Sequence, residues 1–291
     1  MDLARLLAER LGGDWSVEAS GASDFFRFYR ARSADQTLFL KLGQEREQLE
    51  AEADGLQALR AAGAPVPKFY GVWDSGGEVV LALQLLNFGH KGPDAWGQLA
   101  RVLADLHRPA WPCFGWSRHN FLGATSQHNA QTSSTSAEDW ISFFREQRLQ
   151  VLLEQLELSR AEEQLFTGLL AALPEILGDH APQGSLTHGD LWSGNWGAGA
   201  EGGIWLFDPA VAVVDREMDL AMLELFAQPP ELFWQRYSEL AAPNFVLAAY
   251  ARRRPLYQLY HLLNHWLLFG AAYAGQAQVA ARAALSGVAS G

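Results

Sequence analysis

The stretch SLTHGDLWSGNWG, Ser185–Gly197, places His188, Asp190, Ser193 and Asn195 among three glycines and two tryptophans. Asp, Asn and Gly are common turn residues, so a polar connector is the simplest reading. The surroundings make the question sharper. From Pro93 onward the apolar spacing is helical, over 94–107, 138–157, 160–173, 218–228, 231–252 in pieces, 255–272 and a tail to about 287. The two exceptions are this stretch and GGIWLFDPA, 202–210, and both are entered by apolar residues. Before Pro93 the pattern differs. A short helix over 3–11 precedes strand-like WSVEAS, FFRFYRAR and QTLFLKL, then a helix over 44–62 ended by Gly63 and Pro65. FYGVW and EVVLALQLL around DSGG read as a hairpin. The fold class expected is α+β and bilobal. Residues 1–86 form a small antiparallel-sheet N-lobe with one main helix, and 87–291 a larger, mostly helical C-lobe. The Ser/Thr-rich run GATSQHNAQTSSTS, 123–136, reads as an exposed loop.

The spacing inside the opening stretch carries chemistry. Residues 188–195 read H-G-D-L-W-S-G-N, matching H-R-D-L-x-x-x-N with Gly for Arg. In that pattern the Asp accepts a hydrogen bond from an attacking hydroxyl, and five residues on the Asn oxygen meets a magnesium ion. Asp190 is therefore the candidate base and Asn195 a candidate metal ligand. Asp208 ends an apolar strand 13 residues after Asn195. It suits a second metal ligand bridging nucleotide phosphates, and equally an Asp-Pro turn.

Lys41 in LFLKL resembles the lysine strand of kinases. In the next helix Leu49, Glu52, Leu56 and Leu59 share one stripe, so Glu52 interrupts an apolar face. Burying either charge alone is costly, and pairing them offsets that cost. The favoured reading is an ion pair that aims Lys41 at the α- and β-phosphates. EASGASDFF, 18–26, lies where a phosphate-covering turn belongs, with Gly21 and Ser23 as candidate contacts, although an ordinary hairpin reads as well. Glu217 and Asp219 in DREMDLAM, 215–222, suit a helix N-terminus, and the dipole role is the default for Asp219. Asn264, His265 and Trp266 lie inside an apolar helix, as satisfied core groups or as a pocket wall.

Bulk composition limits the alternatives. The chain has 291 residues, 49% hydrophobic and 19% charged, enough for a large core. A net charge of −11 and a pI near 5.2 argue against nucleic-acid or anionic-membrane partners. Cys113 is the single cysteine, which excludes an internal disulfide framework. The start is amphipathic without a basic, apolar leader, and no run approaches about 20 apolar residues. A soluble cytoplasmic protein is expected.

Together these motifs resemble the fructosamine (ketosamine) kinases, within the aminoglycoside and choline phosphotransferase group that shares the protein-kinase-like fold. HGDLWSGN at 188–195 is narrower than the general H-x-D motif, and the likeness extends to LFLKL, EAEADGLQAL, EDWISFFREQRLQ at 138–150, FDPA, DREMDLAM and LYQLYHLLNHWLLFG at 256–270. The resemblance implies ATP and Mg2+ in the cleft and phosphate transfer to a hydroxyl, typically O3, of a small-molecule or protein-bound ketosamine such as a fructosamine or ribulosamine. It implies Asp190 as base, Asn195 and Asp208 as metal ligands, and Lys41 with Glu52 as the phosphate clamp. Adenine would meet the linker near Gln84 to Leu86, and Trp192, His265 and Trp266 would face the sugar. A monomer or weak homodimer is expected.

Two departures stand out. The turn Ser20 to Asp24 is poor in glycine and lacks cysteine, and no activation loop follows Asp208, which argues against a protein kinase. An aminoglycoside or choline-type acceptor is the alternative, and a nucleotide-binding pseudokinase a further one.

Overall fold

The structure is a computed structural model that describes residues 2–178 and 180–287. It begins with α1 (Leu3–Leu11), capped by the Asp2 carboxylate accepting from the Ala4 N–H at 3.0 Å. Five strands follow: β1 (Ser16–Ala22), β2 (Arg27–Arg32), β3 (Thr37–Gly43), β4 (Phe69–Ser75) and β5 (Glu78–Gln84). They form one antiparallel sheet ordered β1-β2-β3-β5-β4, with α2 (Arg46–Ala61) inserted between β3 and β4. The alternation in β3 decides its faces. Leu38, Leu40 and Leu42 pack with Val80, Ala82 and the α1 residues Leu6 and Leu7, whereas Phe39 and Lys41 point to the other side. On that side Leu49, Leu56 and Leu59 of α2 join Val79, Leu81 and Leu83 of β5.

The C-lobe opens with α3 (Pro93–His107), then the hairpin β6 (Asn120–Leu122) and β7 (Thr125–Gln127). Helix α4 (Ala137–Phe144) continues through a π-helical segment, Arg145–Gln150, into the short α5 (Val151–Leu153), so the helix expected over 138–157 is one helical stretch that starts at Ala137 and ends at Leu153. Next come α6 (Arg160–Leu177), β8 (Gly184–Thr187), β9 (Trp196–Ala198), β10 (Ile204–Leu206) and β11 (Ala212–Asp215). The helices α7 (Glu217–Leu225), α8 (Glu231–Ala241), α9 (Leu247–Phe269) and α10 (Ala274–Ser286) complete the fold. Helix α9 runs unbroken through Pro255, where the sequence suggested a boundary. No described helix is long and apolar enough to cross a membrane.

The stretch 123–136 corrects the exposed-loop expectation. Thr125, Gln127 and Asn129 are buried. Their polar groups are largely used inside the lobe: Gln127 Nε2 donates to the Ala210 carbonyl at 3.0 Å and to Asn120 Oδ1 at 2.8 Å, and Tyr260 donates to Gln127 Oε1 at 2.8 Å. Asn120 Nδ2 in turn donates to the Val211 carbonyl at 2.7 Å. A polar segment is buried here because it ties down the backbone after Asp208, satisfying groups that would otherwise be stranded.

The linker after β5 is tied to the C-lobe. The Gly89 N–H donates to Ala198 O and the Ala200 N–H to Asn87 O, each at 2.9 Å, and the Phe88 ring packs tilted against Phe207 with ring centres 5.3 Å apart. Lys91 Nζ donates to the Ser193 carbonyl at 2.5 Å and sits 4.2 Å from the Trp196 ring centre.

Candidate active site

Two hairpins and two strand ends converge on a cleft of about 260 Å³ between the lobes, lined by Ser23, Phe26, Lys41, Glu52, Asp190, Trp192, Asn195 and Asp208 among others. Lys41 comes from β3 and Glu52 from α2. Their Nζ and Oε2 atoms are 2.7 Å apart, and both side chains are buried. Asp208 approaches the same ammonium from the C-lobe at 3.2 Å, with its side chain 44% exposed towards the cleft. Burial opposes the charge on Lys41, but Asp208 and Glu52 outweigh it and hold the ammonium firmly protonated. Burial likewise works against the Asp208 charge, and Lys41 overcomes it, so Asp208 lies below its ordinary value. Burial raises Glu52 against the pull of Lys41. Asp208, held ionised beside Lys41 and open to the cleft, keeps a carboxylate oxygen that can meet a further cation.

The catalytic-loop candidate is shaped from within. Gly189 has φ 83°, and a Cβ there would meet the Ala210 carbonyl oxygen at 1.9 Å. This close approach of loop and arm explains glycine where the related pattern has arginine. Asn195 Nδ2 donates to the Asp190 carbonyl and to Asp190 Oδ2, both at 2.9 Å. Its Oδ1 makes no hydrogen bond among the described residues. Asp208 alone among described non-glycine residues has positive φ, at 54°, a conformation that costs about 1–3 kcal/mol and clusters at functional sites. An unbonded amide oxygen beside a cleft-facing carboxylate offers the hard oxygen donors that magnesium prefers, so the residues present fit that ion. Burial first, and the Asp208 charge second, push Asp190 up to about 7.

Asp219 does more than the helix-dipole role expected of it. It is 1% exposed, its Oδ1 accepts from Gly189 N–H at 2.9 Å, and its Oδ2 accepts from His188 N–H at 2.8 Å. Oδ2 also lies 3.1 Å from His107 Nε2, while the other His107 nitrogen meets the Tyr237 hydroxyl at 2.8 Å. His188 is fully buried with Nε2 on the Phe207 carbonyl at 3.0 Å. One carboxylate therefore pins the two residues before Asp190. The spacing in DREMDLAM gave no sign of this, because an acid in a first helical turn looks ordinary whatever it bonds.

The remaining candidates divide. Ser23 lines the cleft, and its Oγ accepts from the Phe25 and Phe26 N–H groups at 3.4 and 3.1 Å. The Phe26 ring lies 4.4 Å from Lys41 Nζ. Gly21, with φ 150°, sits in β1 beside a register irregularity and is not among the cleft-lining residues. Leu86 lines an adjoining recess of about 240 Å³ together with Leu85, Asn87, Thr37 and Arg30. Gln84 turns away, its Oε1 accepting from the Lys68 N–H at 3.2 Å. Trp192 is 40% exposed on the cleft and lies over Gly194, where a Cβ would strike the indole at 2.3 Å. Trp266 and His265 are not among the cleft-lining residues, although their helix α9 reaches the cleft-lining hairpin through Asn264 and Leu268. Trp266 is 8% exposed and packs near Phe166, and His265 joins an aromatic cluster with Phe226, Phe269 and Tyr273. Helix periodicity put them on the same element as Asn264 but could not say which neighbour each side faces.

Known proteins resemble this chain along nearly its whole length. A model of the fructosamine kinase family matches residues 5–286. A probable ketoamine kinase of Synechocystis is 39% identical over 253 residues, covering 84% of this chain and 81% of that protein. A probable ketoamine kinase of Escherichia coli K12 is 36% identical, covering 92% and 93%. Among solved structures, a candidate fructosamine-3-kinase from Thermobifida fusca superposes with a TM-score of 0.84 at 31% identity, covering 98% of each chain. An aminoglycoside phosphotransferase in ternary complex with AMP-PNP and hygromycin B has a TM-score of 0.64 at 15% identity, covering 98% of each chain, a likeness of fold.

Proposed function

Since this chain belongs to the fructosamine kinase family and is an ATP-dependent phosphotransferase for sugar-amine substrates, we propose that it phosphorylates O3 of a fructosamine or ribulosamine. The observation that carries the reading is the meeting of Asp190, Asn195, Asp208 and Lys41 in one cleft beside an exposed Trp192. Asp190 is the base. At about 7 its carboxyl can take the proton of the attacking hydroxyl near neutral pH. Asn195 fixes its orientation through the two amide hydrogen bonds. Lys41, steadied by Glu52, orients phosphate oxygens and offsets their charge. Asn195 and Asp208 are the magnesium ligands, and the ion would supply charge neutralisation to the phosphates. Trp192 supports the sugar ring, and His265 and Trp266 act, if at all, from behind the cleft wall that α9 helps to form.

The linker recess at Leu85–Asn87 receives the adenine through backbone groups, and on this reading the N-lobe is residues 1–86 and the C-lobe 87–291. The substrate is a ketosamine, free or protein-bound, and the chain acts in the cytoplasm. The test is an acceptor panel with Mg-ATP followed by NMR of the product. Fructosyl-lysine or a ribulosamine should drive ATP consumption, with phosphate on O3, and kanamycin or choline should drive much less. The reverse ranking, or phosphate on another hydroxyl, would refute the assignment.

A further inference from the structure

A second cleft, of about 800 Å³, opens on the C-lobe at the opposite end of β8 and β11 from the catalytic loop. Strand β11 carries Asp215 to this end, and the next residue, Arg216, lines the cleft. Arg216 is 5% exposed, and among the described residues nothing hydrogen-bonds or ion-pairs with it. The other buried charges here are accounted for. Asp215 accepts from His180 Nε2 and the Tyr257 hydroxyl, each at 2.6 Å, and Glu217 holds Arg253 through two bonds of 2.6 and 2.8 Å. His180, Asp215 and Glu217 stand close enough to share a metal ion, but Arg253 already supplies the cation for Glu217. The uncompensated group is a cation. The Arg216 nitrogens have no protein partner among the described residues and are not sealed off, so the guanidinium is held largely inside the protein with its donors open only to the cleft, where an anion can reach them. At the rim the exposed Arg252 adds a second positive group and the exposed Glu175 a negative one, neither of them ion-paired among the described residues, so the buried Arg216 is what sets the sign of the site.

We propose that this cleft is an anion site that takes a phosphate ester, with Arg216 gripping the phosphoryl oxygens and Arg252 at its mouth. A guanidinium fork matches phosphate oxygens in pairs, and the cleft has room for the attached sugar. The site is built on the strand pair that leads into the catalytic loop, and it stands independently of which acceptor the active site uses.

Full-length protein is saturated with AMP-PNP and Mg2+, so that the active-site phosphate positions are filled. It is then titrated with fructose 6-phosphate or orthophosphate against chloride at equal ionic strength, by calorimetry and thermal melting. Fructose 6-phosphate should bind and raise the melting temperature. Arg216→Met should weaken that binding at least about tenfold, the loss expected for a charged hydrogen-bonding group. Orthophosphate binding as tightly, and also lost in Arg216→Met, would identify free phosphate as the ligand source. Without anion the variant should melt no lower than the wild type, because an unpaired buried charge has been removed. No binding to the wild type at millimolar probe, equal binding to the variant, or a variant that melts lower or fails to fold would each overturn the proposal.

Discussion

Asp190 is where pH bears most directly on the molecule. Its carboxyl sits at about 7 in the folded chain, raised by burial and by Asp208, against about 3.9 in an unfolded one. The folded state holds this proton more tightly. The stability it contributes is therefore complete below about pH 4 and is lost as pH rises through about 7. Asp190→Asn removes the charge and keeps an oxygen within reach of Asn195. Its melting temperature at pH 8 should equal or exceed that of the wild type, while turnover falls by about 10²–10⁴. In the wild type, kcat/KM should climb with pH up to about 7 and then level off. A flat profile from pH 5 to 8 would argue against Asp190 as the base. Asp219→Asn behaves differently. An amide offers one acceptor oxygen where the carboxylate serves His188, Gly189 and His107 with two. A loss of about 1–3 kcal/mol in urea unfolding is expected, with lower kcat and little change in nucleotide affinity.

At the scale of elements, β6–β7 acts as a brace for the arm that carries Asp208. Gln127→Leu removes its bonds to the Ala210 carbonyl and to Asn120 and leaves the Tyr260 hydroxyl without its acceptor. The magnesium concentration for half-maximal rate should rise about tenfold or more, as when other supporting partners of metal ligands are removed. An unchanged magnesium dependence would show that the arm holds itself. This element also marks the limit of the sequence reading. Alternation and helical stripes revealed β3, α2 and the Lys41–Glu52 proximity, because both partners interrupt apolar patterns. Thr125, Gln127 and Asn129 carry no such pattern: Gln127 is buried against a carbonyl 83 residues away, and Asn129 against Asn120 and Arg148. Pro255 misled for a related reason: tertiary packing of α9 on α7 and α10 outweighs a local helix breaker. Asp190, Asn195 and Asp208 were legible because their spacing is local and chemical. Asp219 was not, because its hydrogen bonds reach 30 residues back along the chain.

For the whole molecule, the triad of Lys41, Glu52 and Asp208 joins the lobes across the cleft. Lys41→Met leaves Glu52 buried without its cation, a change that commonly costs about 3–5 kcal/mol. Lys41→Met/Glu52→Gln should recover much of that loss in urea unfolding, yet neither variant should recover turnover. Recovery of activity in the double variant would remove Lys41 from the phosphate clamp. The stitched linker has a different consequence. Asn87, Gly89 and Lys91 are bonded to Ala200, Ala198 and Ser193, so the strip proposed to meet the nucleobase and the hairpin that leads to Asp208 move as one piece. Evolution could not exchange the 87–91 strip alone. A sequence altered at 87–91 would have to be matched at 193–200, and the two windows should drift together among descendants of this chain.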